Sequence, residues 1–208
     1  MNIDVPSPID LKKYQDAKQW ELTANLKRPW RYDFFDCYAQ KIAQGTDAQL
    51  RILELGSGPG FLGKYLLERL PNIQYTAFDF SEVMHTLALF LQKLNPNESQ
   101  RATYLLGDFK QANWQKSLEK FDYIIIHQAL HELRHKTYAF DFHQVVMNLL
   151  KPKATYFVCD HLFAEDAMQN NELYMSKTEH LKFFQDAGFT QVRIPLEIQG
   201  LCLFECKV

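Results

Sequence analysis

Three histidines stand within nine residues, in the stretch His127-Gln-Ala-Leu-His-Glu-Leu-Arg-His135. An imidazole titrates near neutral pH, so each can accept a proton, donate one or bind a ligand. On a helix their i, i+4, i+8 spacing would align them on one face, with Glu132 adding an oxygen, and such a set could hold a metal ion. The stretch follows a strand and need not be helical, so the acid–base reading is preferred and no metal is expected. A second reactive element lies upstream, in Ile52-Leu-Glu-Leu-Gly-Ser-Gly-Pro-Gly-Phe-Leu-Gly63. Gly56, Gly58 and Gly60 allow close backbone approach to a ligand, and a helix start at residue 61 points N–H groups at it. Glu54 suits a cationic or hydrogen-bond-donating ligand better than a pyrophosphate.

The elements that must position these residues alternate between strand and helix. Residues 51–55 read as a strand covered on both faces, and Phe61, Leu62, Tyr65, Leu66, Leu67 and Leu70 trace a helix face, with Pro59 suited to its first turn. A second strand over 74–78 closes on Asp79, 19 residues after Gly60, where a ribose-binding carboxylate belongs. Helix-capping by Asp79 competes with that role, although Ser81 can begin the helix over 82–94 by itself. A third strand over 102–106 closes on Gly107-Asp108-Phe109. There a carboxylate could accept from an exocyclic amine and an aromatic ring could stack on a base. The strongest strand, 121–126, runs into the histidine stretch at the carboxyl edge of the sheet, where open α/β sheets bind ligands. Thr137 is expected to cap a helix over 138–150, and Leu150-Lys-Pro-Lys-Ala154 reads as a stop and turn. A fifth strand over 154–159 leads to Asp160, His161 and Phe163 at the same edge. Ser176-Lys-Thr-Glu179 is a capping box, Gly188 ends its helix, and strands over 189–194 and 201–208 join through Pro195 to Gly200.

Ahead of this alternation, residues 1–9 read as a loose arm, and 10–24 and 29–44 as helices. The second helix carries Trp30, Tyr32, Phe34, Phe35, Tyr38 and Ile42, more aromatics than one face requires. It either packs over the sheet or forms a lid, with Tyr32 or Tyr38 reaching the ligand. The division expected is an N-terminal helical arm or cap, 1–45, and a ligand-binding domain, 46–208.

Glu54-x-Gly-x-Gly-x-Gly60 resembles motif I of the class I S-adenosylmethionine-dependent methyltransferases. Asp79-Phe-Ser-Glu-Val-Met84 is similar to the segment after their second strand, Gly107-Asp108-Phe109 to the element after the third, and Ala129-Leu-His-Glu-Leu133 to the one after the fourth. Glu132 stands where the family has a second histidine, and Lys151-Pro-Lys153 lacks the family's glycines. The resemblance covers about 50–206. It implies an α/β fold, a doubly wound, seven-stranded, mostly parallel sheet with the last strand antiparallel and helices on both faces. It implies S-adenosyl-L-methionine as cofactor and S-adenosyl-L-homocysteine as product, bound by Glu54, Gly56, Ser57, Gly58, Gly60, Asp79, Phe80, Asp108, Phe109 and His127. His131 and His127 become the catalytic candidates, and Tyr32, Tyr38, His131 and His161 the substrate contacts.

The 208 residues, 47% hydrophobic with a net charge of −2, carry no field that points to nucleic acid or an anionic membrane. No apolar run nears the roughly 20 residues of a membrane helix. Four cysteines without a C-x-x-C pair read as reduced thiols of a cytoplasmic protein. A small-molecule acceptor is expected, its reacting atom (oxygen, nitrogen or carboxylate) left open, in a monomer or homodimer. The alternative is a non-catalytic S-adenosylmethionine-binding or scaffold protein on the same fold. An NAD-linked oxidoreductase fails on the glycine spacing.

Overall fold

The computed structural model describes residues 3–44, 48–92 and 95–208. The expected domain boundary at 45/46 and the end of the 82–94 helix lie outside the described residues. Seven strands form one sheet in the order β3-β2-β1-β4-β5-β7-β6, and the contacts divide the chain into two compact units, residues 8–108 and residues 1–7 with 109–208.

The first unit runs α1 (Tyr14–Lys27), α2 (Arg31–Ala43), β1 (Leu50–Leu55), α3 (Phe61–Arg69), β2 (Ile73–Asp79), α4 (Glu82–Gln92), a single turn α5 (Pro96–Ser99) and β3 (Ala102–Leu106). β1 and β3 flank β2, both parallel to it. Ile52, Leu53 and Leu55 of β1 are buried, as the apolar run requires, together with Leu66 and Leu67 of α3. Phe34, Phe35, Tyr38 and Ile42 of α2 are also buried, so three of the aromatics of this stretch are core residues, whereas Trp30 is half-buried and Tyr32 exposed. α1 begins four residues later than the sequence suggests and contributes Ala17 and Trp20 to a cluster with Met84 and Leu87 of α4. α3 starts at Phe61 behind a left-handed Gly60 (φ 78°), so Pro59 precedes the helix instead of opening it. Gly63 lets α3 approach β2 closely: a Cβ there would lie 2.6 Å from the Tyr75 ring and hydroxyl.

The second unit runs β4 (Phe121–His127), two short 3₁₀ turns (Leu130–Leu133 and Lys136–Tyr138), α6 (Ala139–Asn148), β5 (Leu150–His161), α7 (Lys177–Ala187), β6 (Gln191–Ile198) and β7 (Leu201–Lys207). β4 and β5 are parallel, and β7 inserts antiparallel between β5 and β6. Ser176 and Glu179 close the expected capping box and Gly188 is the left-handed C-cap (φ 107°).

Four local expectations are corrected. Residues 150–153 belong to β5: from Phe121↔Leu150 to Tyr123↔Thr155, β5 advances five residues while β4 advances two, and the surplus is taken up at Lys153, which has φ 67°. Pro195 lies within β6, at a bulge between Arg193 and Leu196; β6 is the edge strand, where a missing N–H breaks no ladder. The hairpin then turns on Gln199 and Gly200 alone, both at positive φ. Thr137 sits inside a 3₁₀ turn, and Tyr138 is the residue before α6. The N-terminal arm is tied down: Val5 N–H donates to the Arg134 carbonyl, and Arg134 Nε and Nη2 donate to the carbonyls of Val5 and Pro6, each at 2.9 Å.

Candidate active site

The glycine loop is folded by its own backbone around the end of β2. Gly56 N–H donates to the Phe78 carbonyl at 2.8 Å, and Gly60 N–H to that of Ser57. Gly56, Gly58 and Gly60 all have positive φ, from 54° to 78°, which side-chain-bearing residues rarely adopt. Asp79 is buried and fixes this turn: one carboxylate oxygen accepts from Gly58 N–H at 2.8 Å and the other from Ser81 N–H at 2.9 Å. Ser81 Oγ accepts in turn from Met84 N–H at 3.2 Å, so the serine starts α4 and Asp79 is a loop brace. Ser57 is buried, and its Oγ has no hydrogen-bond partner among the described residues. Phe80 is half-buried, with the Lys12 ammonium 5.5 Å above its ring. Asp108 is half-buried at the end of β3.

Glu54 points into the same unit and is 3% exposed. Its carboxylate accepts a hydrogen bond from the buried Tyr75 hydroxyl. Burial pushes its pKa up to about 8, against the lowering effects of that bond and of the nearby Arg31 charge. Between the ordinary value of 4.5 and about 8, the folded chain holds a proton that the unfolded chain has lost. The stabilising contribution is therefore fully present below 4.5 and is lost as pH rises through 8. Thermal unfolding of the ligand-free protein from pH 5 to 8 should show wild type losing stability relative to Glu54→Gln, by up to about 1.4 kcal/mol per pH unit. Parallel pH profiles for the two proteins would overturn this reading.

In the second unit the histidines have separate surroundings. His131-Glu132-Leu133-Arg134-His135 spells H-E-x-x-H, the pattern of a zinc-binding helix. Here it folds as a 3₁₀ turn ended by a left-handed Arg134 (φ 69°), so no α-helical face aligns the imidazoles. His135 Nδ1 lies 2.8 Å from the Thr137 hydroxyl, and among the described residues no three His, Cys, Asp or Glu side chains gather as metal ligands. His127 is the last, buried residue of β4, opposite Cys159 of β5.

His131 is paired with Asp160. The carboxylate accepts from His131 N–H at 2.8 Å on one oxygen, while the other lies 2.7 Å from His131 Nδ1 and accepts from His161 N–H at 2.7 Å. Burial lowers the His131 pKa, but the Asp160 charge and hydrogen bond, aided by Glu132, more than offset it and hold the value above 6.5. Burial works to raise Asp160, and the His131 charge and bond overcome it, holding the carboxyl well below the usual carboxylate range. With Nδ1–H donated to Asp160, Nε2 is the basic position, 3.5 Å from Glu132 Oε1. His161 Nε2 is 3.0 Å from the Gln128 amide, and Tyr174 lies beside both rings, 5.5 Å from His131 and 6.2 Å from His161 between centroids. A cavity of about 10 Å³, room for about one water, is lined by His131, Asp160, His161, Tyr174, Met175 and His180.

The chain thus brings Glu54, Gly56, Ser57, Gly58, Gly60 and Asp79 together in one unit and His131 and His161 together in the other. Phe109 is buried and packs on Phe142 at 5.2 Å. Tyr32 is 42% exposed, against Phe35 and Tyr65, whereas Tyr38 is fully buried. Asp160 was legible as an edge residue, but no local signal tied it to an imidazole 29 positions away. Tyr75 and Arg31 carried no motif at all.

Residues 46–199 match a protein family described as a methyltransferase domain. No curated protein matches the sequence. Solved structures share the fold. A SAM-dependent methyltransferase from Aquifex aeolicus superposes with a TM-score of 0.66 at 22% identity, over 94% of this chain and 99% of that one. The CMeT domain of the citrinin polyketide synthase gives 0.72 at 16% identity, over 91% and 56%. Human N-acetylserotonin methyltransferase, solved with SAM, gives 0.68 at 16% identity, over 95% and 57%. The chain spans 59% of the length of a matching protein from Nostoc punctiforme. At these identities the likeness is one of fold.

Proposed function

The chain belongs to the methyltransferase-domain family, that of class I S-adenosylmethionine-dependent methyltransferases, and from this premise we propose that it methylates a small molecule at an O–H or N–H group, with His131 as the base. The observation that carries the proposal is the His131–Asp160 pair, which leaves Nε2 as a positioned proton acceptor.

The residues of the glycine loop fit S-adenosylmethionine. The glycine backbone leaves room for a ligand, the unpartnered Ser57 hydroxyl supplies a polar group, and the Asp79 carboxylate, held at the loop by the Gly58 and Ser81 amides, is the proposed acceptor for ribose hydroxyls. Glu54 offers an acid to the ammonium end of the ligand, and Asp108 and Phe109 are the proposed adenine contacts. When bound, S-adenosylmethionine supplies a methyl group on a sulfonium, a leaving group already activated. The chain's own share is positioning, which can lower a barrier by about 7–11 kcal/mol in favourable cases, and proton removal. Asp160 holds the His131 ring in one tautomer and stabilises the imidazolium that forms when Nε2 takes the acceptor's proton. His161 and Tyr174 then border the acceptor.

Calorimetric titration with S-adenosylmethionine, S-adenosylhomocysteine and NAD tests the reading. Micromolar binding of both adenosyl ligands and none of NAD is expected. Failure to bind either adenosyl ligand would sink it.

A further inference from the structure

The proposed base stands among acids. Glu132 Oε1 lies 3.5 Å from His131 Nε2, the basic position, and Asp160 lies 2.7 Å from the opposite ring nitrogen. We propose that the methyl acceptor is a small primary or secondary amine, bound as its ammonium ion in the cavity beside His131. This deepens the methyl-transfer reading above and rests on His131 as its base.

Charge, size and hydrogen-bonding capacity agree on this ligand. The carboxylates Asp160, Glu132 and Glu179 are accompanied by the cations Arg134 and Lys136, so with a neutral imidazole the cluster keeps one negative charge in excess. Both cations are engaged: Lys136 Nζ donates to Asn171 Oδ1 at 2.6 Å and pairs with Glu179, and Arg134 donates to the carbonyls of Val5 and Pro6. The cavity, of about 10 Å³, takes one water-sized group, and an ammonium head is of that size. His180 lines it and is 1% exposed, and neither of its ring nitrogens has a hydrogen-bond partner among the described residues. Burial pushes its pKa down to about 4, so the neutral ring offers a lone pair to an N–H donor. The Tyr174 ring, 5.5 Å from that of His131, supplies an aromatic face of the kind that attracts organic cations.

The chemistry favours nitrogen for the same reason. The bound ammonium gives one proton to His131 Nε2, and its positive charge passes to an imidazolium still beside Asp160. The freed nitrogen lone pair forms the bond to the methyl group while the bond from methyl to sulfur breaks, and that electron pair stays on the sulfur of S-adenosylhomocysteine. No anion forms at any point. An alcohol or phenol that gave up the same proton would become an oxyanion next to Glu132, and like charges repel strongly in a partly buried site.

The experiment uses the amine, alcohol and carboxylate members of two series, benzyl and butyl, near neutral pH. NMR of the His131 and His180 ring signals reads binding without turnover, and transfer of tritium from methyl-labelled S-adenosylmethionine reads reaction. The amines should shift both ring signals and bind about 10-fold or more tightly than the alcohols, the gap between charged and neutral hydrogen bonds, and the carboxylates should not bind. Glu132→Gln should weaken the amines by about 3- to 10-fold, within the range of a partly exposed ion pair, and leave the alcohols within about twofold of wild type. The Glu132 side chain is 26% exposed, so this exchange does not threaten folding. Only the amines should gain a methyl group. Preference for an alcohol or a carboxylate overturns the proposal, as do amines that leave both ring signals unmoved, that bind Glu132→Gln as they bind wild type, or that bind beside S-adenosylmethionine and gain no methyl group. Amines that bind to a protein unable to take either adenosyl ligand leave the cation site standing and remove the methyl-transfer reading instead.

Discussion

Replacing His131 by alanine should lower kcat by about 10²–10⁴-fold, the range of a positioned general base, and leave S-adenosylmethionine affinity unchanged. Turnover of any acceptor found by screening reads the first quantity and calorimetry the second. The pH profile carries more information than the single rate. A base must be neutral to accept a proton, and Asp160 holds the His131 pKa above 6.5. Wild-type kcat/KM should therefore rise with pH through one ionisation above 6.5. Asp160→Asn removes the negative charge that favours the imidazolium, so that ionisation should move to lower pH while the plateau rate drops. Titration of the His131 ring by NMR measures the same shift with no acceptor present. An Asp160→Asn protein whose His131 titrates as in wild type would refute the pairing. A fully active His131→Ala protein would refute the base.

The second large effect is expected at Asp79. Its carboxylate accepts from Gly58 N–H at 2.8 Å and Ser81 N–H at 2.9 Å. Asp79→Ala therefore removes a proposed ribose acceptor and the brace of the loop together. Hydrogen bonds to a charged group contribute about 1.5–3 kcal/mol each, and loss of two in a buried turn should weaken S-adenosylmethionine binding by more than about 100-fold. Asp79→Asn keeps one carbonyl acceptor and should retain part of the loop geometry but little of the affinity. Hydrogen exchange at the Gly58 amide separates the two contributions: it should speed up strongly in the alanine variant and less in the asparagine variant. Binding within threefold of wild type for Asp79→Ala would end the ribose assignment.

The sheet was readable because buried parallel strands write themselves as apolar runs. Arg51 to Leu55 and Phe121 to Ile126 each marked a strand to within a residue or two of its observed bounds, and the Ser176 box and Gly188 marked both ends of α7. The errors fell where backbone geometry departs from the local signal. Lys151-Pro-Lys153 has the composition of a turn, yet Lys153 adopts positive φ and lets β5 continue from Leu150. Pro195 is a breaker by type but is harmless on the outer strand, and edge position is a property of the whole sheet. The polar arm at residues 3–7 carried no sign of its partner, since Arg134 is far along the chain.

By itself the sequence determined the class of the protein. Spaced glycines, an acid after the second strand and histidines after the fourth are local patterns, each with a local physical reason: bare backbone, paired oxygens and titratable rings. Tertiary structure alone decided which of those groups act on one another. It set Tyr75 against Glu54, turned the H-E-x-x-H spelling into a 3₁₀ turn, and placed Asp160 against His131. Each partnership joins residues distant in sequence, or depends on a backbone bend that no periodicity encodes. A side chain's pKa, tautomer and orientation are set by what surrounds it in space.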